Sequence, residues 1–130
     1  MKYLLDTDWV IDHLHSVGSV VRRLEELSAE GLGLSVISLA ELYEGVFNSA
    51  DPVGNERGLQ SFLAGVSVVG VDEEICRIFG RERGRLRREG RRIADFDLLI
   101  AATCLRHNLA VLTNNRRHFE VLEGLEIISV

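Results

Sequence analysis

The chain alternates between short apolar runs and segments with helical periodicity, and this alternation limits the folds open to it. The runs are apolar at nearly every position rather than at every second one, which is typical of strands buried on both faces. Strands of this kind, separated by helices, predict a three-layer α/β/α domain with a mainly parallel central sheet of about five strands. The runs are YLL (3–5), LGLSVI (32–37), VSVVGV (66–71), AVLT (110–113) and EIISV (126–130).

Helical patterns fill the intervals between these runs in the first half of the chain. Apolar residues spaced by three and four predict helices between 10 and 27 and between 39 and 47. Asp51-Pro52 is a start signal for the helix that precedes the third run.

The second half begins with Asp72 as the predicted N-cap of a helix that enters an arginine-rich stretch. Gly84 and Gly90 favour a loop or a frayed end within that stretch. A last helix is predicted from Asp95 to His107, and the NNRRHF segment (114–119) after the fourth run is predicted to be a polar turn.

Length and composition predict a single domain over residues 1–130. Apolar residues make up 46% of the chain and charged residues 27%, and no run approaches the roughly 18 apolar residues that span a bilayer. We therefore expect a cytoplasmic protein without a membrane partner. The two cysteines, Cys76 and Cys104, lack the spacing of metal ligands and are expected to be reduced thiols in the core.

Polar side chains follow each of the first four apolar runs. The carboxyl ends of parallel strands meet at one edge of a sheet, where ligands bind, so these side chains can converge from distant parts of the chain. Asp97 joins them if the helix that begins near Asp95 starts at the same edge. The set after the strands is Asp6, Ser38, Glu41, Asp72, Thr113, Asn114 and Asn115.

Carboxylates gathered at such an edge require a cation, because like charges in contact raise one another's pKa. Ligation by oxygen alone, without a His or Cys framework, favours Mg²⁺ or Mn²⁺ over zinc. Mg²⁺ typically uses a few carboxylates together with waters and substrate phosphates. The predicted chemistry is therefore phosphoryl transfer or phosphodiester hydrolysis.

Several of these carboxylates have a structural alternative. Asp6 and Asp8 can each be the N-cap of the helix that follows; the site role is favoured for Asp6 and the capping role for Asp8. Ser38-Leu39-Ala40-Glu41 has the spacing of a capping box, so the two roles are evenly matched for Glu41. Asp95 is the better candidate for a helix cap and Asp97 for a ligand.

The chain contains one strongly basic segment, although its net charge is −5. The segment RERGRLRREGRR, from Arg81 to Arg92, holds seven Arg and two Glu, which gives it +5 and leaves −10 for the rest of the chain. A stretch of this kind is either a solvated helix face or a surface for phosphate backbone or an acidic protein partner. Arg87 and Arg88 are the candidate contacts with nucleic acid or a partner.

Three blocks of the chain share the order and spacing of a known family: LLDTDWVIDHL, SVISLAELYEG and IADFDLLIAATCLRHNLAVLTNNRRHF. Together they resemble the PIN-domain ribonucleases, and among these the VapC toxins of type II toxin-antitoxin modules. Each block is weak alone, and the three are jointly specific over nearly the whole chain. The resemblance implies a PIN-like fold.

The resemblance also implies a site. Asp6, Glu41 and Asp97 match the acidic metal site of the family, with Asp6 and Asp97 as the direct ligands. Many PIN domains have a fourth acidic residue after the fourth strand, where this chain has Asn115, which argues against tight binding of a second metal ion. Thr113 and Asn115 are expected to orient a water or a metal-bound phosphate.

The implied activity is Mg²⁺-dependent hydrolysis of RNA phosphodiesters, with Mn²⁺ as a substitute cation. The metal would lower the pKa of bound water and neutralise charge developing on phosphate. Glu41 would position the water or act as general base. The family further implies a homodimer and a cognate VapB-type antitoxin whose tail occupies the cleft.

Other classes of protein are also compatible with the opening YLLDTDWV. It also resembles the first motif of haloacid-dehalogenase-type phosphatases, with Asp6 as nucleophile and Asp8 as acid/base. Those enzymes need a later basic residue, usually Lys, and Lys2 is the only lysine in this chain. The absence of a later lysine argues equally against a response-regulator receiver. A non-catalytic RNA- or partner-binding module with the PIN fold is the third class, and the retention of all three matched carboxylates argues against it.

Overall fold

Five strands form one parallel sheet in the computed structural model, which describes all of residues 1–130. The order across the sheet is β3-β2-β1-β4-β5, and every neighbouring pair is parallel. The first strand is therefore the central one, which confirms the predicted parallel sheet. In chain order the strands are β1 (Tyr3–Leu5), β2 (Leu32–Ser35), β3 (Ser67–Val69), β4 (Ala110–Leu112) and β5 (Ile127–Ile128).

Seven helices cover the two faces of the sheet. Successive side chains of β1 point to opposite faces of the sheet and so divide the core in two. Tyr3 and Leu5 belong to one buried cluster and Leu4 to the other. The first cluster packs under the first four helices and the second under the last three, which confirms the three-layer arrangement. The helices are α1 (Thr7–Leu14), α2 (Gly18–Leu27), α3 (Val36–Phe47), α4 (Pro52–Leu63), α5 (Glu73–Arg88), α6 (Asp95–His107) and α7 (Arg116–Phe119), with a 3₁₀ turn at Ser28–Glu30.

The start of α3 corrects one sequence prediction. The second strand ends at Ser35, whose Oγ accepts a hydrogen bond from the backbone N of Ile37 at 3.1 Å and so caps the helix. Ser38 is the third helical residue and is fully buried. The predicted capping box from Ser38 to Glu41 is therefore wrong, because the strand is two residues shorter than its apolar run and the helix begins one turn earlier.

The arginine-rich stretch is more regular than predicted. α5 continues through Gly84 to Arg88, since Leu86 is fully buried near its end. Arg85 pairs with Glu82 at 2.7 Å and with Glu89 at 3.0 Å along the same helix. Packing and these ion pairs outweigh the low helix propensity of glycine, which is worth only about 1 kcal/mol.

Two further expectations are wrong. The NNRRHF segment contains the short helix α7, because Phe119 is fully buried and ties this segment to the core. Cys76 is exposed, and only Cys104 is a core thiol.

None of the helices has the length and apolar character needed to cross a membrane.

The predicted bounds of α6 are confirmed, and its C-terminal end is well defined. Asn108 adopts the left-handed conformation with φ of 54°, and its backbone N–H donates to the carbonyl of Cys104. Asn tolerates this conformation better than other residues that carry a Cβ. The turn delivers the chain into β4, whose end reaches the edge of the sheet described below.

Substitution of Asn108 should show how much this turn contributes to stability. Asn108→Gly should leave the free energy of unfolding unchanged or raise it by up to about 1 kcal/mol, since glycine has no Cβ to clash. Asn108→Val should lower it by about 1–2 kcal/mol, because a β-branched residue is strained in the left-handed region. Urea unfolding measures both, and equal stabilities would contradict the proposed contribution of the turn.

Candidate active site

A cleft of about 410 Å³ opens at the carboxyl edge of the sheet. Five acidic residues from three distant segments line it: Asp6 and Asp8 after β1, Glu41 on α3, and Asp95 and Asp97 on α6. No lysine or arginine lines it, so its charge is strongly negative. The other lining residues are Thr7, Ala94, Phe96, Asn115 and His118.

Asp6 is buried at the end of the central strand, with 5% of its surface exposed. Its Oδ1 accepts a hydrogen bond from the backbone N of Thr7 at 2.9 Å, and its Oδ2 accepts from the hydroxyl of Thr113 at 2.7 Å. Burial raises the pKa of Asp6 to about 6, even though both hydrogen bonds favour the charged form. Asp6 is also the N-cap of α1, so the two alternatives considered for it are compatible.

Glu41 reaches the cleft from the second turn of α3. Its Oε1 accepts a hydrogen bond from the hydroxyl of Thr7 at 2.9 Å. Burial raises the pKa of Glu41, and the negative charge of Asp97 adds to the shift. Thr7 thus holds both Asp6 and Glu41, a role that was not predicted and that no sequence signal indicated.

Asp97 lies in the first turn of α6, whose N-cap is Ala94. Burial raises the pKa of Asp97, and His118, with Nδ1 at 3.1 Å from Oδ2, opposes the shift. The position of His118, one helical turn after Asn115, is the sequence signal that places it in the cleft. Asp95 makes no capping hydrogen bond, because its carboxylate accepts instead from Arg83 of α5, and its predicted capping role is wrong.

Asp8 connects the start of α1 to the loop after β4. Its Oδ1 accepts from the backbone N of Trp9 at 2.8 Å and its Oδ2 from the backbone N of Asn114 at 2.9 Å. The indole Nε1 of Trp9 in turn donates to the Asn114 side chain at 3.1 Å. With both oxygens bonded to backbone, Asp8 supports the cleft wall, although it is not the N-cap for which the sequence favoured it.

Of the two loop residues expected to contact a water or phosphate, only Asn115 lines the cleft, while Thr113 lies behind it against Asp6. Thr113 is fully buried, and its hydroxyl donates to Asp6 and accepts from the backbone N of Asn115 at 3.0 Å. The side chain of Asn115 makes no hydrogen bond within the protein and lines the cleft. Asp72, by contrast, caps α5 through the backbone N of Ile75 at 2.8 Å and does not line the cleft.

The donor set of the cleft fits a hard divalent cation. The candidate donors are carboxylate and amide oxygens. Burial raises the pKa of Asp6, Asp8, Glu41 and Asp97. A bound cation would therefore stabilise the ionised form of these carboxylates. No group of three or more acidic, His or Cys side chains is assembled to hold a metal ion. Such an open site suits Mg²⁺, which takes one or two carboxylates and completes its shell with water and phosphate.

The basic segment from Arg81 to Arg92 is largely neutralised by neighbouring carboxylates. Arg81, Arg83, Arg85 and Arg91 each pair with an acidic residue. The exposed arginines without such a partner are Arg87, Arg88 and Arg92. None of them lines the cleft.

Comparison with known proteins identifies the family. The PIN domain model matches residues 3–125. The tRNA(fMet)-specific endonuclease VapC of Shigella flexneri is 30% identical over 96% of this chain and 95% of its own length. Ribonuclease VapC1 of Methanocaldococcus jannaschii is 35% identical over 97% of this chain and 86% of its own length.

Solved structures show the same likeness in three dimensions. VapBC2 from Rickettsia felis, bound to a DNA fragment from its promoter, matches with a TM-score of 0.93 at 28% identity and covers 100% of this chain and 99% of that one. This chain therefore belongs to the PIN domain family, as a VapC-type ribonuclease.

Proposed function

We propose that this chain is a Mg²⁺-dependent endoribonuclease toxin of a type II toxin-antitoxin module, with Mn²⁺ as a substitute cation. The observation that carries the proposal is the meeting of Asp6, Glu41 and Asp97, from three distant segments, in one cleft without lysine or arginine. Relatives named as endonucleases, and solved VapBC complexes of the same fold, support RNA as substrate and a VapB-type antitoxin as partner.

Asp6 and Asp97 would hold the ion, with Glu41 beside them. When bound, Mg²⁺ supplies a water of lowered pKa and neutralises charge that develops on the phosphate. Neutral donors keep Asp6 in place for this task, since Thr7 and Thr113 each bond one of its oxygens.

Glu41 is the candidate general base. Its Oε1 is held by Thr7, while its Oε2 accepts no hydrogen bond within the protein. Burial raises the pKa of Glu41, which improves its capacity to take a proton from the attacking water. Asn115 presents an uncharged amide that can orient the water or a phosphate oxygen.

The proposed partners follow from charge and from the relatives. A cleft that carries five carboxylates attracts basic side chains, so an antitoxin tail with Arg or Lys would neutralise it and block access. We also propose a homodimer, as the family implies. The unpaired Arg87 and Arg88 are proposed to contact the RNA backbone outside the cleft.

The phosphatase alternative assigns the acid/base role to Asp8, whose carboxylate is not free. Both oxygens of Asp8 accept backbone hydrogen bonds. Lys2 precedes β1, at the opposite edge of the sheet from the cleft, and pairs with Glu30 at 3.0 Å. Neither the phosphatase reaction nor the chemistry of a response-regulator receiver is therefore supported at this site.

Removal of either proposed ligand should abolish metal-dependent cleavage. Purified protein, free of antitoxin, is incubated with structured RNA and Mg²⁺ or Mn²⁺, beside Asp6→Asn and Asp97→Asn. Each variant should lose at least about 100-fold in rate, as when a charge-stabilising group is removed from an active site.

Asp12→Asn, outside the cleft, is the matched control and should keep full activity. Asp8→Ala should cost much less activity than Asp6→Ala, because Asp8 supports the loop and does not hold the ion. Full activity of Asp6→Asn, or no RNA cleavage by the unaltered protein, would contradict the proposal.

Asp6→Asn should also stabilise the metal-free protein at neutral pH. The pKa of Asp6 is about 6 in the folded protein and has an ordinary value of 3.8. Between these two pH values the Asp6 carboxyl is therefore protonated in the native state and ionised in the unfolded state. Stability of the unaltered protein therefore falls as pH rises through that window, and the neutral Asn avoids this loss. We expect a gain of about 1–3 kcal/mol at pH 7 and little difference below pH 4.

Thermal unfolding against pH measures this effect without any assay of activity. Added Mg²⁺ should raise the melting temperature of the unaltered protein at pH 7 and have a much smaller effect on Asp6→Asn. Identical melting temperatures for the two proteins across the pH range would show that burial of the Asp6 carboxylate carries no energetic cost.

Charge reversal at the basic segment should weaken RNA binding without affecting metal binding. Arg87→Glu with Arg88→Glu should lower affinity and reduce the salt dependence, by a slope of about 0.7 for each phosphate of single-stranded RNA that is no longer neutralised. The control is Arg22→Glu with Arg57→Glu, two exposed arginines without a salt bridge on other helices. Equal affinity of both double variants would place the RNA elsewhere.

A further inference from the structure

The cleft contains one large apolar side chain, Phe96. It is the second residue of α6, between Asp95 and Asp97, and half of its surface is exposed. Among the ten residues that line the cleft, the other hydrophobic one is the small Ala94. This ring is therefore half exposed to water next to the carboxylates, and it belongs to neither of the two core clusters.

The geometry of α6 keeps this ring out of the core. Leu98 lies two residues further on, about 200° around the helix axis, and is fully buried. Burial of Leu98 fixes the rotation of the helix and so directs Phe96 to the opposite side, over the cleft. The aromatic pairs of the structure are His13 with Phe62 and Tyr43 with Phe47, so no ring within the chain stacks on Phe96.

The charge of the cleft limits what can bind against this ring. Five carboxylates repel a phosphate unless a cation lies between them, so a nucleic acid gains little from its backbone here. A nucleobase is uncharged and has an apolar face, and stacking of a base on an aromatic side chain is worth about 1–3 kcal/mol. Only an unpaired base can offer that face, because the bases of a duplex are already stacked.

We infer that Phe96 stacks on an unpaired nucleobase next to the phosphate held in the cleft, and so positions the nucleotide that is cleaved. The inference rests on the proposed ribonuclease function. Phe96 is a positioning residue in this role: it holds the nucleotide beside Asp97 and takes no part in the chemistry. Stacking tolerates any base, so this contact adds affinity without a preference for sequence.

The first test uses cleavage kinetics with Mg²⁺. Phe96→Ala should raise KM for a single-stranded RNA by about 5- to 100-fold, the equivalent of stacking on one base, with kcat changed much less. Phe96→Tyr and Phe96→Trp should restore KM. Phe47→Ala is the matched control, since Phe47 is 62% exposed and does not line the cleft, and it should behave as the unaltered protein.

The second test detects stacking directly. Short single-stranded RNAs carry 2-aminopurine at successive positions, and Ca²⁺ replaces Mg²⁺ to neutralise the carboxylates, with the RNA shown to be intact on a gel. Binding should quench the fluorescence at one position with the unaltered protein and with Phe96→Tyr, but not with Phe96→Ala. The same RNA annealed to its complement should show no quenching that depends on Phe96, because its bases are already stacked.

Each outcome bears on one proposal or the other. Unchanged KM and unchanged quenching in Phe96→Ala would overturn the stacking role. A Phe96→Ala variant that binds RNA normally but no longer dimerises would assign the ring to a protein contact instead. Quenching by the unaltered protein that is absent with Phe96→Ala, without cleavage of any RNA, would support stacking and overturn only the ribonuclease proposal.

Discussion

A buried carboxylate at the end of the central strand is the constraint on which the rest of this structure depends. β1 pairs with both β2 and β4, so Asp6 emerges where segments from both halves of the chain meet. Burial raises the pKa of Asp6 to about 6, and hydrogen bonds from Thr7 and Thr113 offset part of that cost. The start of α1 and the end of β4 must therefore stay in register with β1, since each supplies one of these donors.

The carboxylates of the cleft are held mainly by neutral donors. Thr7 bonds both Asp6 and Glu41, and Thr113 bonds Asp6, while the nearby arginine Arg83 is directed to Asp95 at the rim. A lysine or arginine inside the cleft would neutralise the field that attracts a cation. Orientation by hydroxyl and backbone N–H groups fixes the acidic side chains without removing that field, and it leaves the uncompensated charge available to a metal ion.

Prediction from the sequence succeeds where local patterns suffice and fails where a short segment depends on its neighbours. The bounds of α6 follow from its own periodicity, and the N-cap roles of Asp51 and Asp72 follow from the residues after them. The four residues of α7 are too few to form a helix alone, and burial of Phe119 holds them in place. Ser38 has an acceptable capping spacing, but the end of β2 gives the role to Ser35.

The sequence by itself determined the parallel three-layer fold and the place of Asp6 at its edge, because hydrophobic periodicity and the residues that follow each strand are local properties. Glu41 and Asp97 were joined to Asp6 through the family resemblance. Only the tertiary structure decided how those carboxylates are held and what surrounds them. Thr113 lies 107 positions from the Asp6 that it bonds, and Asn114 lies 106 positions from Asp8. The hydrogen bonds that separate the roles of Asp6 and Asp8, and the rotation of α6 that leaves Phe96 over the cleft, exist only once distant segments have packed together.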